Sequence, residues 1–281
     1  MVATNRIEVK KTYKLFINGA FPRSESGRVF EVHSKKGEFI ANPCLASRKD
    51  LRDSVTAARA AQLGWAKATA YNRGQILYRI AEMLEGRAEQ CAAEISATTA
   101  ITPLKAQSMV SEAIDRWVWY AGWSDKLSAV TGATNPVAGP YYNFTIPEPL
   151  GVVVVTASDS FIDFIDAIAA AVVSGNSVIA LVDGGLSVPA MTFAEVLATS
   201  DLPAGVINIL TGSLDELAPW AASHMDVDGF DISAIGKKKR AELKVAGAEN
   251  LKRIYIADGK LTPSRILAFM EQKTVWHTIG V

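Results

Sequence analysis

The chain has 281 residues, a formal net charge of zero and hydrophobic side chains at 49% of positions. That length allows one or two domains with a substantial core, and the charge balance excludes a general affinity for nucleic acid or acidic membranes. The two cysteines, Cys44 and Cys91, exclude a disulfide framework.

The N-terminal MVATNRIEVKKTYK lacks the apolar core of a signal peptide. Tyr13 to Pro22 sets Asn18-Gly19 between apolar runs, a hairpin signal because both residues tolerate positive φ. Val29–Val32 and Phe39–Ala41 are short strand candidates. Ser47 opens a helix, with Asp50 three residues on to support its first turn. Val55, Ala58, Ala61, Gln62 and Trp65 follow near helical spacing. Arg73 to Leu84 places Ile76, Leu77, Ile80, Met83 and Leu84 on one face, and Gly86 ends that helix. A third helix is predicted from Arg87 to about Thr98. A longer one follows Pro103, from Leu104 to about Leu127. Its aromatics, Trp117, Trp119, Tyr120 and Trp123, are read as packing rather than as a ligand platform. Residues 128–147 turn rich in Gly, Pro and Asn and carry the alternating Tyr141 to Ile146, which reads as a ribbon projecting from the body.

Glu148 to Val182 has the order of one βαβ unit, with branched apolar runs on either side of a helical segment and Gly175-Asn176 before the second run. From there strands and helices alternate. Strands are predicted at Val152–Thr156, Ser177–Val182, Gly205–Leu210, Val227–Ile232 and Arg253–Ile256. Helices are predicted at about Phe161–Val173, Ser187–Thr199, Leu214–Ser223 and Gly236–Ala248. This is the pattern of an α/β fold with a doubly wound parallel sheet. The apolar region Phe161 to Val182 is broken by Asp163, Asp166 and Gly175-Asn176, whereas a membrane span needs about 20 unbroken apolar residues. The expectation is a soluble cytoplasmic protein. Arg265 to Val281 reads as a short helix and one more strand, Lys273–Val281, with no chain left to cover it.

Ligands of such sheets bind beyond the carboxyl ends of the strands, which directs attention to the loop Ala157-Ser158-Asp159-Ser160. Asp159, Asp163 and Asp166 follow at helical spacing. Without a nearby histidine they are read as partners of the helix dipole, and no metal site is assigned. Lys237-Lys238-Lys239-Arg240 at a helix start is read as a solvated face rather than an anion site. His33, His224 and His277 are scattered and form no triad.

The ordered pieces KLFINGAF, TAARAAQLGWAKA, NRGQILYRIAEMLEGRAE, EPLGVV, SGNSVI, DLPAGVINILTG and HMDVDGF, from Tyr13 to about Pro263, resemble the cofactor-binding domain of the NAD(P)-dependent aldehyde dehydrogenase family. The family does not use the G-x-G-x-x-G loop, so its absence here is neutral. The resemblance implies a nucleotide site for NAD or NADP, formed by Thr156, Ala157, Ser158, Gly184, Gly212 and Ser233. It also implies an assembly element. The tail FMEQKTVWHTIGV is similar to the C-terminal tail of some members, which joins the projecting ribbon in oligomerisation. The division implied is a nucleotide-binding domain over residues 1–263, including the ribbon 128–147, and an assembly tail over 264–281.

The departures bear on activity. Where the family writes PWNFP, with an asparagine that stabilises an oxyanion, this chain has Ser158-Asp159-Ser160-Phe161-Ile162, and Ser160 takes the asparagine's place. Loss of one oxyanion donor typically costs about a hundredfold in rate. Where the family has KPSE for the adenosine ribose, this chain has Leu181-Val182-Asp183-Gly184. The loop near the pyrophosphate is shortened to Ile232-Ser233-Ala234-Ile235-Gly236. The family's LELGGKSP aligns with Ile256 to Pro263, which puts Ala257 at the base's position and Asp258 one residue away. The family's nucleophile is a cysteine in a later catalytic domain, and no cysteine follows Cys91.

No catalytic residue is therefore assigned. The expectation is a catalytically inactive subunit, structural or regulatory. It would form a homodimer, or a hetero-oligomer with a complete aldehyde dehydrogenase, through residues 128–147 and 273–281. An NAD(P)-binding module with weak or lost affinity, and an oxidoreductase completed by groups from another chain, are the alternatives.

Overall fold

The computed structural model describes residues 9–280. Residues 1–8, most of the segment read as lacking a signal peptide, and Val281, the last residue of the tail expected to serve assembly, lie outside the described residues. Asn18 and Gly19 adopt φ of 53° and 72°, and Ile17 and Ala20 exchange backbone hydrogen bonds of 3.0 Å, as the hairpin signal requires. The next strands are short: β1 (Val32–His33) pairs antiparallel with β2 (Phe39–Ala41), and Val29 contributes only an isolated bridge to Cys44.

Helix α1 (Arg48–Lys67) starts on a capping box. The Ser47 hydroxyl accepts from the Asp50 N–H at 3.3 Å, and the Ser47 N–H donates to Asp50 Oδ2 at 2.8 Å. Helices α2 (Ala70–Glu85) and α3 (Ala88–Thr98) follow. The predicted helix from Leu104 to Leu127 is in fact two. Helix α4 (Pro103–Ala121) stops at Gly122, the chain tightens through i→i+3 bonds from Trp123 to Tyr120 and Lys126 to Trp123, and α5 (Leu127–Thr131) resumes. Glycine is a poor helix former, and the turn lets Trp119 and Trp123 meet with ring centroids 5.6 Å apart. Trp117 stacks on Phe193, so these aromatics are packing groups. The ribbon accordingly begins after α5, as β3 (Ala133–Asn135) and β4 (Tyr141–Pro149).

The central sheet contains β5 (Val152–Ala157), β6 (Ser177–Val182), β7 (Ile207–Thr211), β8 (Gly229–Asp231) and β9 (Arg253–Tyr255), all parallel, in the order β7-β6-β5-β8-β9. Its helices are α6 (Phe161–Val172), α7 (Ser187–Leu197), α8 (Leu214–Ser223) and α9 (Lys237–Ala248). Alternate side chains enter two cores. Val153, Val155, Val178 and Ala180 pack with α2, α3, α4, α6 and α7, while Val152, Val154, Ile179 and Leu181 pack with α1, α8 and α9. Burial on both faces explains why β5 and β6 read as unbroken apolar runs. Asn176, fully buried before β6, accepts from the Gly151 N–H at 2.8 Å and donates to the Ala171 and Phe269 carbonyls, each at 2.9 Å.

After β9 a short helix α10 (Ser264–Leu267) leads to β10 (Met270–Thr278). Ile266 and Phe269 belong to the main core. The final strand starts three residues before its predicted Lys273 and is not left uncovered by its own chain. It pairs antiparallel with β4 over its whole length, from Met270 opposite Pro149 to Thr278 opposite Tyr141. The resulting three-stranded sheet has the order β10-β4-β3. No helix among the described residues is long and apolar enough to cross a membrane.

Candidate functional site

The chain leaves β5 toward β6 and β7 on one side and returns to β8 and β9 on the other, so the strand order reverses between β5 and β8. A cavity of about 250 Å³ lies beyond the carboxyl ends of these two strands, the place where open parallel sheets bind ligands. Thr156, Ala157, Ser158 and Ser233 line it, together with Asp159, Ser160, Asp163, Ala257 and Arg265.

Its polar groups are largely satisfied from within. The Thr156 hydroxyl donates to the Asp231 carbonyl at 2.9 Å and accepts from the Ala234 N–H at 3.2 Å. The Ser233 hydroxyl donates to Asp231 Oδ1 and accepts from the Ala257 N–H at 2.8 Å. Asp231 is fully buried, and its other oxygen accepts from Arg265 Nη2 at 2.8 Å, while Arg265 Nε is buried with no hydrogen-bond partner. The Ser158 hydroxyl donates to Asp159 Oδ2 at 2.7 Å. The Ser160 hydroxyl accepts from the Asp163 N–H at 3.2 Å as the cap of α6.

Gly184 and Gly212 are not brought to this cavity, because they follow β6 and β7, beyond β5 from β8. Gly184, at φ 62°, opens a turn of 3₁₀ helix over Gly184–Leu186. Gly212 lies against Ala46, whose backbone nitrogen would stand 3.1 Å from any added Cβ. Between them sits Asp183, which residue-type reasoning passed over. Its carboxylate accepts from Gly184 N–H at 2.7 Å and from Leu214 N–H at 3.1 Å, at the start of α8. An acid between a strand and a helix start was the available signal. Leu181 is fully buried.

Ala257 lines the cavity, whereas the exposed Asp258 does not and accepts from the Lys260 N–H at 3.1 Å. Asp166 is buried beside Arg116 at 3.4 Å, and burial raises its pKa above the usual carboxylate range. No cluster able to hold a metal occurs among the described residues. In the basic run, Arg240 turns back to donate to the carbonyls of Ile235 at 2.8 Å and Ser233 at 2.7 Å, and Lys239 pairs with Asp215 at 2.6 Å. Both cysteines are buried, and burial pushes the Cys91 thiol up to about 12.

A doubly wound sheet reversing at β5, with a three-stranded ribbon sheet built from distant segments, defines the class, and sequence comparison agrees: the profile of the Aldehyde dehydrogenase family matches residues 21–271. The chain belongs to that family. Among curated relatives it is 32% identical over 272 residues to retinal dehydrogenase 2 of Gallus gallus, covering 94% of this chain and 52% of that protein. It is 29% identical over 276 residues to cytosolic 10-formyltetrahydrofolate dehydrogenase of Mus musculus, covering 95% and 30%. Among solved structures, the NAD-dependent aldehyde dehydrogenase of Sinorhizobium meliloti superposes with a TM-score of 0.81 at 25% identity, covering 88% of this chain and 50% of that one. The NAD+ complex of the Bacillus cereus enzyme gives 0.81 at 24%, with the same coverage, a likeness of fold. The chain thus spans about half the length of its retinal dehydrogenase relatives.

Proposed function

We propose that the chain is a cytoplasmic assembly subunit of aldehyde dehydrogenase type, structural or regulatory, that carries out no oxidation of its own. The observation that carries this reading is internal to the fold. Residues 256–269 lead from β9 directly, through α10, to β10 on its partner β4, so no catalytic domain stands between the sheet and the ribbon. Around the cavity, Ala257 offers no base and Ser160 uses its hydroxyl to cap α6. The Cys91 thiol, buried and held near 12, is not a nucleophile at neutral pH.

The residues do not fit a nicotinamide dinucleotide. A cavity of about 250 Å³ is small even beside the roughly 300–1,000 Å³ of ordinary ligand pockets. The Thr156 and Ser233 hydroxyls are engaged within the chain, Leu181 has no polar atom for a ribose, and the Asp183 carboxylate occupies the N–H at the start of α8. Calorimetry with NAD and NADP is expected to show no binding tighter than about millimolar. The purified chain is expected to form no NADH with aldehydes, and native mass measurement is expected to show it assembled, alone or with a complete aldehyde dehydrogenase. Aldehyde-dependent NADH formation by the chain alone would overturn the reading.

A further inference from the structure

A second cavity, of about 650 Å³, lies between the first turns of α1 and the exposed side of α8. It shares no residue with the cavity beyond β5 and β8. Its size falls within the roughly 300–1,000 Å³ of small-molecule sites.

The charges around it are unevenly committed. Arg28 holds Glu216 through bonds of 2.7 and 3.3 Å. Lys49 reaches Glu25 at 3.4 Å, and the Ser47 hydroxyl also donates to Glu25, at 3.1 Å. Arg52 holds its neighbour Asp53 at 2.8 Å. The start of α1 is closed by its own capping box. Arg48 is different. Its guanidinium lies over the Trp220 ring, 3.8 Å from the centroid, and meets no carboxylate or other hydrogen-bond acceptor among the described residues. A guanidinium stacked by its face keeps its N–H groups in the plane at its edge, where they can grip a carboxylate through two parallel bonds. Apolar surface lines the same cavity, from the buried Leu51 and from Trp220, which is 40% exposed.

We propose that this cavity binds an organic monocarboxylate with a flat apolar body, the carboxylate on the Arg48 fork and the body against Trp220 and Leu51. The charge count selects a monoanion. One cation is uncommitted, and a phosphate dianion would carry its second charge toward Glu25 and Glu216. His224, also in the wall, adds no further cation at neutral pH, because burial lowers its pKa and its Nδ1 accepts from the Asp226 N–H at 3.2 Å. An exposed indole supplies a rigid face for a planar ligand. The site goes beyond the assembly reading and stands whether or not the chain associates.

Saturation-transfer NMR and fluorescence titration of the full chain with phenylacetate test it, with phenylacetamide and inorganic phosphate as controls. Phenylacetate is expected to bind at about millimolar affinity, the scale for a ligand of its size. The neutral amide and phosphate are expected to bind about tenfold more weakly or not at all. Arg48→Lys keeps the charge but loses the planar fork, and is expected to weaken phenylacetate about tenfold. Trp220→Leu removes the platform and is expected to act in the same direction. The comparison of acid with amide is made on the wild-type chain, so it does not depend on how the variants fold. Phenylacetate that does not bind, that binds no better than its amide, or that Arg48→Lys holds equally well would overturn the site. Phosphate bound more tightly than phenylacetate would overturn the assignment to a carboxylate.

Discussion

Every residue of β5 and β6 is buried, covered by helices on both faces, whereas β10 buries only Met270. The central sheet is held by apolar area that its own chain removes from water. The ribbon sheet is held by its ladder to β4 and by its root, where Phe269 packs edge-on to Tyr255 with centroids 5.5 Å apart and bonds Leu150 and Asn176. Trp276, 61% exposed and meeting Tyr141 at 5.8 Å, contributes surface rather than core. The body should thus be stable by itself, and the ribbon should be sensitive to what it meets.

The most direct way to break this contrast lies inside the body. Arg265→Met strips the buried Asp231 carboxylate of its cation and is expected to cost about 3–5 kcal/mol in urea unfolding. Asp231→Asn on that background should recover part of the loss, since the uncompensated charge goes with it. Asn176→Ala is expected to cost about 2 kcal/mol, because it leaves the Gly151 N–H unpaired and removes one of the two donors to the Phe269 carbonyl at the junction of the two sheets.

A change of pH acts on the body through Lys252. Burial lowers its pKa to about 8, despite the nearby Asp228 carboxylate. The unfolded chain keeps that proton to about 10.4. Between these values it binds more protons than the folded one, so stability should rise with pH, by at most about 1.4 kcal/mol per pH unit. Lys252→Met should flatten the rise. The window closes near pH 10, where the buried Tyr13 and Tyr120 hydroxyls, held above the usual tyrosine range by burial, begin to act in the opposite sense.

Ser47→Ala removes the cap of α1 and is expected to cost about 1 kcal/mol. Smallest of all, Trp276→Ala should move the unfolding midpoint of the body by no more than about 0.5 kcal/mol. A larger loss would show that the ribbon sheet supports the body and that the contrast between them is overstated.

The body was legible because its signals are local. Branched runs at Val152 and Ser177, the Asn18-Gly19 turn and the Ser47 cap with Asp50 each depend on a few neighbouring residues, and the elements stand within a few residues of their predicted bounds. The break of α4 at Gly122 was missed because the apolar pattern runs on through Trp123 and Leu127 while the backbone turns. The pairing of β10 with β4 has no local signature, since alternation marks a strand without naming its neighbour. Four of the six residues assigned to a nucleotide site share a cavity because they end adjacent strands, β5 and β8. Gly184 and Gly212 end strands on the other side, and that separation depends on sheet order. The Asp231–Arg265 pair, 34 residues apart, was equally invisible, since each partner alone reads as an ordinary surface charge.

The ladder that joins Thr145 to Thr274 spans 129 residues of chain. At ribosomal speeds of about 5–20 residues per second, β4 waits on the order of ten seconds for the strand that completes it. During that interval the parallel sheet is itself being synthesised, while Tyr142, Phe144 and Ile146 stand on a hairpin open along one side. The finished ribbon edge is therefore formed late, after the five strands of the body have left the ribosome, and a nascent chain stalled before Met270 would present a different and stickier edge from the finished one.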